Sequence, residues 1–158
     1  MKNSHRSKNN VNTHGYTLIE TIIIAAIISV LFIISVKGLY IAKANTDLSR
    51  TACQLEATLK NCQSLAMYTG NYYKIDFYPS LDRYRVYEED EMIHDIKLSN
   101  INLHYTNFTS NKVYFNKKGT PSMGGTVTLK TGGNKTLYVI MTPVTGRTRI
   151  STTPPANW

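Results

Sequence analysis

The sequence predicts an α+β protein in which a long N-terminal α-helix packs on a C-terminal antiparallel β domain. Three changes of pattern along the 158 residues support this fold class. Residues 16–36 are almost wholly apolar, residues 37–70 repeat apolar side chains at helical spacing, and residues 71–158 alternate apolar and polar side chains between turns. Residues 1–15 form a short leader. We therefore expect a membrane half and an amphipathic half of one helix, followed by one β domain.

The leader and the apolar segment predict a single-pass membrane protein. The polar residues between Leu18 and Val36 are Glu20, Thr21, Ser29 and Ser35. Nineteen residues of α-helix extend about 28 Å, close to the thickness of a bilayer's hydrocarbon core. The leader contains basic residues and no acidic ones, which predicts a cytoplasmic N-terminus and an extracytoplasmic β domain.

Glu20 is unusual in such a segment, because an ionised side chain in hydrocarbon costs on the order of several kcal/mol unless it is paired or reaches the membrane surface. The position of Gly15 gives a second clue. An ordinary secretory signal is cut at a small residue beyond its apolar core, whereas Gly15 precedes the core. Cleavage after Gly15 would leave the apolar helix on the mature protein.

The residues from Gly15 to Glu20 read Gly-Tyr-Thr-Leu-Ile-Glu. With the basic leader and the apolar segment, they resemble the class III signal of type IV pilins and pseudopilins. The resemblance implies that a prepilin peptidase cuts after Gly15 and that Tyr16, the new first residue, is N-methylated. It also implies four kinds of partner, namely prepilin peptidase, an inner-membrane assembly platform, membrane lipid, and other pilin or pseudopilin subunits.

The resemblance places Glu20 at the fifth mature position of the family and suggests a role for it. Cleavage would create an α-amine at Tyr16, about one helical turn from the Glu20 carboxylate. Opposite charges attract strongly in a low-dielectric helix bundle, either within a subunit or between neighbours. The resemblance implies that this pairing helps to recruit a subunit into a growing filament.

The segment after the membrane half predicts an amphipathic helix that packs on its own domain. The apolar residues at helical spacing are Ile41, Leu48, Ala52, Leu55, Leu59, Cys62 and Ala66. Gly38 is a candidate for a kink or a close helix contact, and Gly70 is the predicted helix end. Cys53 and Cys62 lie on opposite faces of this helix, about 13.5 Å apart along its axis. They are too far apart to pair, and we expect free thiols, with an intermolecular bond as the alternative.

The C-terminal half predicts short antiparallel strands. Tyr73, Ile75 and Phe77 alternate with polar residues, and a Pro-containing turn leads into a partner strand at residues 83–87. The further strands are predicted at Met92 to Leu98, Ile101 to Tyr105, Lys112 to Asn116, Thr126 to Lys130, Leu137 to Thr142 and Arg147 to Ser151. The acidic residues Glu88 to Glu91 lack the pattern of a calcium loop, so they are expected to form a solvated connection.

A second resemblance concerns the C-terminal half. Phe115 to Gly119 reads as the F-x-x-x-G strand and turn of GspH/FimT-type minor pseudopilins, and a Gly-rich turn and strand follow at Gly124. Gly146 to Arg149 matches the G-R-x-R that ends the last strand in that family. FimT-type transformation pilins bind DNA through this motif, whereas secretion-type relatives carry similar basic residues in salt bridges or in contact with solvent.

Arg147 and Arg149 are therefore candidate nucleic-acid-binding residues. On a strand they would share a face about 6.6 Å apart, and Arg binds phosphate well. Lysines in neighbouring segments are expected to add to this surface if the fold brings them together, namely Lys117 and Lys118, and also Lys112, Lys130 and Lys135. The alternative is a structural or solvated role.

No motif for catalysis, nucleotide binding or metal binding occurs in the sequence. We expect no enzymatic activity, no cofactor and no metal site. The sequence predicts a minor pilin or pseudopilin, cut after Gly15 and assembled into a type IV pilus or a type II secretion-like pseudopilus, at or near its tip. The protein would then belong to a cell-surface or periplasmic filament. The alternative function is DNA uptake in natural transformation.

Overall fold

The structure, a computed structural model, describes residues 17–133 and 135–155. The leader, Gly15, Tyr16 and the C-terminal Trp158 lie outside the described residues. The chain divides into two units, one ending at Leu39 and one beginning at Tyr40. The long helix α1 spans Leu18–Thr69, and two short 3-10 turns occupy Pro79–Leu81 and Thr109–Asn111. The strands of the described part are β1 (Tyr73–Tyr78), β2 (Arg83–Glu88), β3 (Glu91–Lys97), β4 (Ile101–Thr106), β5 (Lys112–Phe115), β6 (Gly125–Thr131), β7 (Thr136–Met141) and β8 (Thr148–Ser151).

Helix α1 ends where the sequence predicts. Gly70 has a φ of +71° and its N–H donates to the carbonyl of Ala66 at 3.1 Å, which is the left-handed cap that Gly favours. Gly38 does not interrupt the helix, and a Cβ placed on it would meet nothing within 4 Å. The described part of the chain therefore gives Gly38 neither a kink nor a close contact.

The strands form two antiparallel sheets, in the orders β3-β2-β1-β5 and β4-β6-β7-β8. The predicted antiparallel β domain is confirmed, and its division into two sheets is an addition to the prediction. Asp82 lies at the junction between the sheets. Its carbonyl accepts from the N–H of Leu98, and its Oδ1 accepts from the N–H of Leu103 on β4, both at 2.8 Å.

The amphipathic part of α1 provides one wall of the core. Its buried residues are Leu48, Ala52, Leu55, Leu59, Cys62 and Ala66, which confirms the predicted stripe except at its first member. Ile41 is 61 % exposed, so the expectation that it packs on the domain was wrong. The alternation of strands β1 and β2 supplies the facing side chains, including Ile75 and Tyr84.

The acidic segment is a solvent-exposed connection, as predicted, since Glu89, Asp90 and Glu91 are exposed, and it is also a tight hairpin turn. Glu88 is the last residue of β2 and Glu91 the first residue of β3, so the connection itself is a two-residue turn. Glu88 Oε1 accepts a hydrogen bond from the Asn71 side chain at 2.9 Å, and Glu89 Oε1 accepts from the Tyr72 N–H at 3.2 Å. The prediction missed these bonds, which tie the turn to the two residues before β1.

Both cysteines of α1 are free, as predicted, with Cys53 exposed and Cys62 buried. Burial raises the pKa of the Cys62 thiol to about 12. Cys62 is therefore an inert core residue at neutral pH.

Candidate functional site

The N-terminal part of α1 exposes its apolar side chains. Every large apolar side chain from Leu18 to Leu39 is at least 43 % exposed. Among the described residues, α1 is the helix whose length and composition would allow it to cross a membrane. A surface of this size and polarity needs a cover of lipid or of other helices, since apolar side chains in water are unfavourable.

The described structure begins with a helix cap that the sequence analysis missed. Thr17 precedes the first helical residue, and its Oγ1 accepts a hydrogen bond from the Glu20 N–H at 3.3 Å. Thr17 is therefore the N-cap residue, and Glu20 stands at the N3 position, the spacing of a capping box. The Thr-x-x-Glu spacing was visible in the sequence and could have revealed this cap. The side chain that forms this cap is that of Thr17, and Glu20 contributes its backbone N–H.

One face of the exposed helix carries small side chains. Thr21, Ala25 and Ser29 are four residues apart and therefore share a face. The hydroxyl of Thr21 donates to the Leu18 carbonyl at 2.8 Å, and that of Ser29 donates to the Ala25 carbonyl at 2.7 Å. Because both hydroxyls are satisfied within the helix, this face can enter an apolar environment and allow close approach of a second helix.

The predicted basic residues lie on two connections of the β domain. Lys117 and Lys118 belong to the connection that follows β5, while Arg147 lies between β7 and β8. Arg149 is on β8 itself. The expectation that both arginines lie on the strand was therefore wrong for Arg147, because β8 begins one residue later.

Gln63 of α1 brings these two connections together. Its Nε2 donates to the carbonyls of Gly119 and Thr145, each at 2.9 Å. One amide group thus holds the turn after Lys117 and Lys118 beside the turn before Arg147. No sequence signal marks Gln63, since a Gln on the polar side of a helix is common.

Two glycines make this arrangement possible. Gly119 and Gly146 have φ of +71° and +65°, a region that favours Gly. A Cβ on Gly119 would lie 2.5 Å from Met67 Cγ, and one on Gly146 would lie 2.6 Å from Gln63 Nε2. The glycines of both C-terminal motifs are therefore explained by packing against α1, without reference to a ligand.

Arg147 and Arg149, the arginines of the same motif, are not explained by contacts within the described part of the chain. Arg147 and Arg149 are exposed, with the buried Thr148 between them, so both side chains lie on the solvent side. Within residues 17–133 and 135–155, neither arginine forms a salt bridge, and neither do Lys117 and Lys118. Lys117 Nζ lies 5.4 Å from the centre of the Tyr72 ring. These four residues form what we call the loop basic surface.

The described residues contain no group of three or more His, Cys, Asp or Glu side chains placed to hold a metal ion. His94 and His104 are exposed strand residues. The absence of enzymatic activity stays a prediction.

An apolar helix that continues into an amphipathic one against antiparallel sheets defines a pilin-like α+β fold. The structure matches that of the minor pseudopilin EpsH from the type 2 secretion system of Vibrio cholerae, with a TM-score of 0.56 and 12 % sequence identity. The match covers 66 % of this chain and 96 % of that one. It confirms the predicted fold class and, at the level of the fold, the resemblance to pilins and pseudopilins. No protein-family model and no curated protein sequence matches the chain.

Proposed function

We propose that this protein is a subunit of a type IV pilus or of a type II secretion-like pseudopilus. The observation that carries the proposal is the uncovered apolar part of α1 in a chain with a pilin-like fold. The helix would anchor the subunit in the membrane before assembly and pack against the helices of other subunits afterwards. A prepilin peptidase would cut after Gly15 and methylate Tyr16, and an inner-membrane platform would add the subunit to the filament.

The orientation follows from the charges that flank the helix. The basic leader favours a cytoplasmic N-terminus, and the β domain would then be extracytoplasmic. A place at or near the filament tip is the finer part of this proposal and rests on the resemblance to minor pseudopilins. Counting the copies per filament by quantitative mass spectrometry tests it, and a copy number like that of the shaft subunit would contradict it.

The carboxylate of Glu20 would supply the specificity of assembly. It lies one turn from the proposed α-amine at Tyr16, in a segment where few polar groups are available. A charge of this kind is stabilised in the filament only if an opposite charge approaches it. The small face of Thr21, Ala25 and Ser29 would let a neighbouring helix come close enough for this pairing.

Substitutions of Glu20 and Thr17 can separate the charge of Glu20 from the helix cap that Thr17 forms. Glu20→Gln removes the charge and leaves the backbone N–H that Thr17 caps, whereas Thr17→Ala removes the cap and leaves the charge. We expect Glu20→Gln to be cut after Gly15 normally and to enter filaments at least about tenfold less than the wild-type chain, which corresponds to about 1.4 kcal/mol. Thr17→Ala should be incorporated nearly normally.

The measurement is the ratio of filament-bound to membrane-bound chain, determined by immunoblot of sheared filaments from cells that express each variant. Normal incorporation of Glu20→Gln would contradict the charge role. If Thr17→Ala is lost from filaments while Glu20→Gln is retained, the cap rather than the charge is what assembly requires.

A second candidate function is DNA binding by the loop basic surface. It is favoured by the Gln63 contacts, which hold Lys117, Lys118 and Arg147 on adjacent turns without acidic partners. Phosphates of DNA would be bound by these cations, and binding would weaken steeply with salt. This function would place the filament in DNA uptake.

The test compares two double variants with the same loss of charge. Arg147→Ala with Arg149→Ala should weaken binding of the full chain to duplex DNA and reduce the logarithmic salt slope by about 1.8. Lys130 and Lys135 flank the β6–β7 turn, at the opposite end of β7 from the residue that pairs with Arg149, so the fold does not bring them to the loop basic surface. Lys130→Ala with Lys135→Ala should therefore change binding much less. Equal effects of the two double variants, or no affinity of the wild-type chain at low salt, would contradict a DNA site here.

A further inference from the structure

A cleft of about 360 Å³ lies at the start of the second unit of the chain, which begins at Tyr40. Helix α1, the β3–β4 connection and the β6–β7 turn form its walls. The lining residues are Tyr40, Lys43, Ala44, Asp47, Asn100, Gly132 and Gly133. The β6–β7 turn is therefore close to the first turn of α1 in this unit.

Exposed apolar side chains continue beyond Val36, where the predicted membrane half ends. Leu39, Tyr40 and Ile41 are each more than half exposed, so the β domain does not cover them. A tyrosine ring with its polar tip is favoured at the boundary between a membrane and water, and a nearby lysine can keep its stem in apolar surroundings and its charge in water. Tyr40 and Lys43 therefore suit this boundary.

The heights of these residues match the headgroup layer of a bilayer. A bilayer is about 40–45 Å thick with its headgroups and about 30 Å without them, which leaves about 5–8 Å for each headgroup layer. With the hydrocarbon core ending at Val36, Tyr40 lies about 6 Å beyond it and Lys43 about 10 Å beyond it. The β6–β7 turn lines the same cleft as these two residues, so it lies at the outer boundary of the headgroups.

The cations around this cleft outnumber the anions. Lys43 lines the cleft, and Lys130 and Lys135 flank the β6–β7 turn. Asp47 is the acidic residue of the lining. Among the described residues, none of the three lysines forms a salt bridge. Three cations and one anion leave an excess of positive charge beside the headgroup layer.

The neighbouring residues preserve this excess. Arg50 and Lys97 line an adjoining cleft of about 310 Å³. Asp82 adds a negative charge there, since its carbonyl accepts a hydrogen bond from the N–H of the residue after Lys97. Arg83 and Asp95, which follow, pair with each other at 3.2 Å. With both clefts counted and that pair set aside, five cations accompany two anions.

We infer that this end of the β domain rests on the anionic headgroups of the membrane that anchors the chain. The contact surface, which we call the juxtamembrane surface, consists of Tyr40, Lys43, Lys130, Lys135 and the β6–β7 turn. Its partner is the phosphate of acidic lipids. The inference rests on the proposed function, because it requires the apolar part of α1 to span the bilayer. It concerns the chain before assembly, so it does not depend on the place or the copy number of the subunit in a filament.

Fluorescence quenching by lipids provides the first test. Gly132→Cys introduces a thiol at the β6–β7 turn, where a Cβ meets nothing within 4 Å, and Cys53→Ser removes the exposed native thiol. The full chain is labelled with a fluorophore and placed in vesicles of phosphatidylcholine and phosphatidylglycerol. A nitroxide on the headgroups should then quench most of the fluorescence. The control is Ser64→Cys, an exposed site on α1 about 31 Å beyond Lys43, which should be quenched little.

Removal of charge provides the second test, with the same label at residue 132. Lys130→Gln with Lys135→Gln should lower the ratio of docked to undocked domain about tenfold, which is read as a loss of quenching. Vesicles of phosphatidylcholine alone should weaken quenching of the chain with its native lysines in the same way. Arg147→Gln with Arg149→Gln removes equal charge beyond the opposite end of β7 and should leave quenching unchanged.

Three results would overturn the inference. They are equal quenching at residues 132 and 64, equal quenching in acidic and neutral vesicles, and equal losses for the two double variants. The proposed function fails separately, through a label at Ile28→Cys in the apolar part of α1. If nitroxides on the acyl chains do not quench that label, the membrane anchor is wrong. If they quench it while headgroup nitroxides spare residue 132, the anchor stands and the juxtamembrane surface is wrong.

Discussion

The two parts of helix α1 differ in where their apolar side chains find cover. From Tyr40 onward, one stripe of the helix that includes Leu48, Leu55 and Ala66 is buried against the β domain. Up to Leu39, the large apolar side chains all remain exposed. The same secondary structure thus serves two purposes. The second part stabilises the fold of its own chain, whereas the first part requires a partner outside the chain.

The largest expected effect comes from truncating the same residue type in each part. Leu55→Ala should lower the free energy of unfolding of the β domain by about 2–5 kcal/mol, because it leaves a cavity in the core. Leu31→Ala, in the exposed part, should leave that free energy unchanged. Thermal or denaturant unfolding of the full chain in detergent measures both. Similar losses for the two variants would show that the exposed part also stabilises the domain.

Glycine substitutions sharpen the contrast between α1 and the connections that pack on it. Gly119→Ala and Gly146→Ala should each lower the free energy of unfolding by about 1–3 kcal/mol, since both require positive φ and both face α1 side chains. Gly132→Ala is the control, because a Cβ there meets nothing within 4 Å, and it should change stability by less than about 0.5 kcal/mol. Full tolerance at Gly119 and Gly146 would contradict the close packing described above.

Substitution of Gln63 is expected to have an effect of similar size. Gln63→Glu keeps the size of the side chain but removes the amide donor shared by Gly119 and Thr145. The loss of two hydrogen bonds should lower the free energy of unfolding by about 1–3 kcal/mol. Gln54→Glu, nine residues earlier and on the opposite face of the same helix, should lower the free energy of unfolding less. If Gln63→Glu is neutral in unfolding measurements, the two basic connections are held together by other contacts.

The smallest effect concerns the two thiols of α1 and leaves stability untouched. In the folded chain at pH 8, a maleimide should label Cys53 and spare Cys62, because burial protects Cys62 and raises the pKa of its thiol to about 12. Both should react after unfolding. Mass spectrometry counts the labels, and rapid labelling of both thiols in the native chain would contradict a closed core around α1.

The stripe on α1 and the first hairpin were predictable because their signals are local. Apolar residues spaced from Leu48 to Ala66 at steps of four and three dictate one buried helix face. Alternation from Tyr73 and the turn at Pro79 likewise dictate a hairpin. Ile41 fits the same spacing but is exposed, since periodicity shows which face a residue occupies and not how far along the helix the domain extends.

The contacts between distant segments were not predictable. Gln63 donates hydrogen bonds to carbonyls 56 and 82 residues away along the chain. No pattern in the sequence around Gln63 predicts these bonds. The division into two sheets depends on such long-range pairing as well. The motif glycines illustrate the opposite case, in which a pattern was recognised and its physical reason, close packing on α1, emerged only from the structure.

The central claim is that the apolar part of α1 stays on the mature chain as its assembly surface. Mass spectrometry of the N-terminal peptide, from chain isolated with an active prepilin peptidase, tests this claim most directly. The account predicts a chain that begins at a methylated Tyr16 and retains residues 17–39. A chain that remains uncut, or that begins beyond Val36 after removal of the apolar segment, would contradict it.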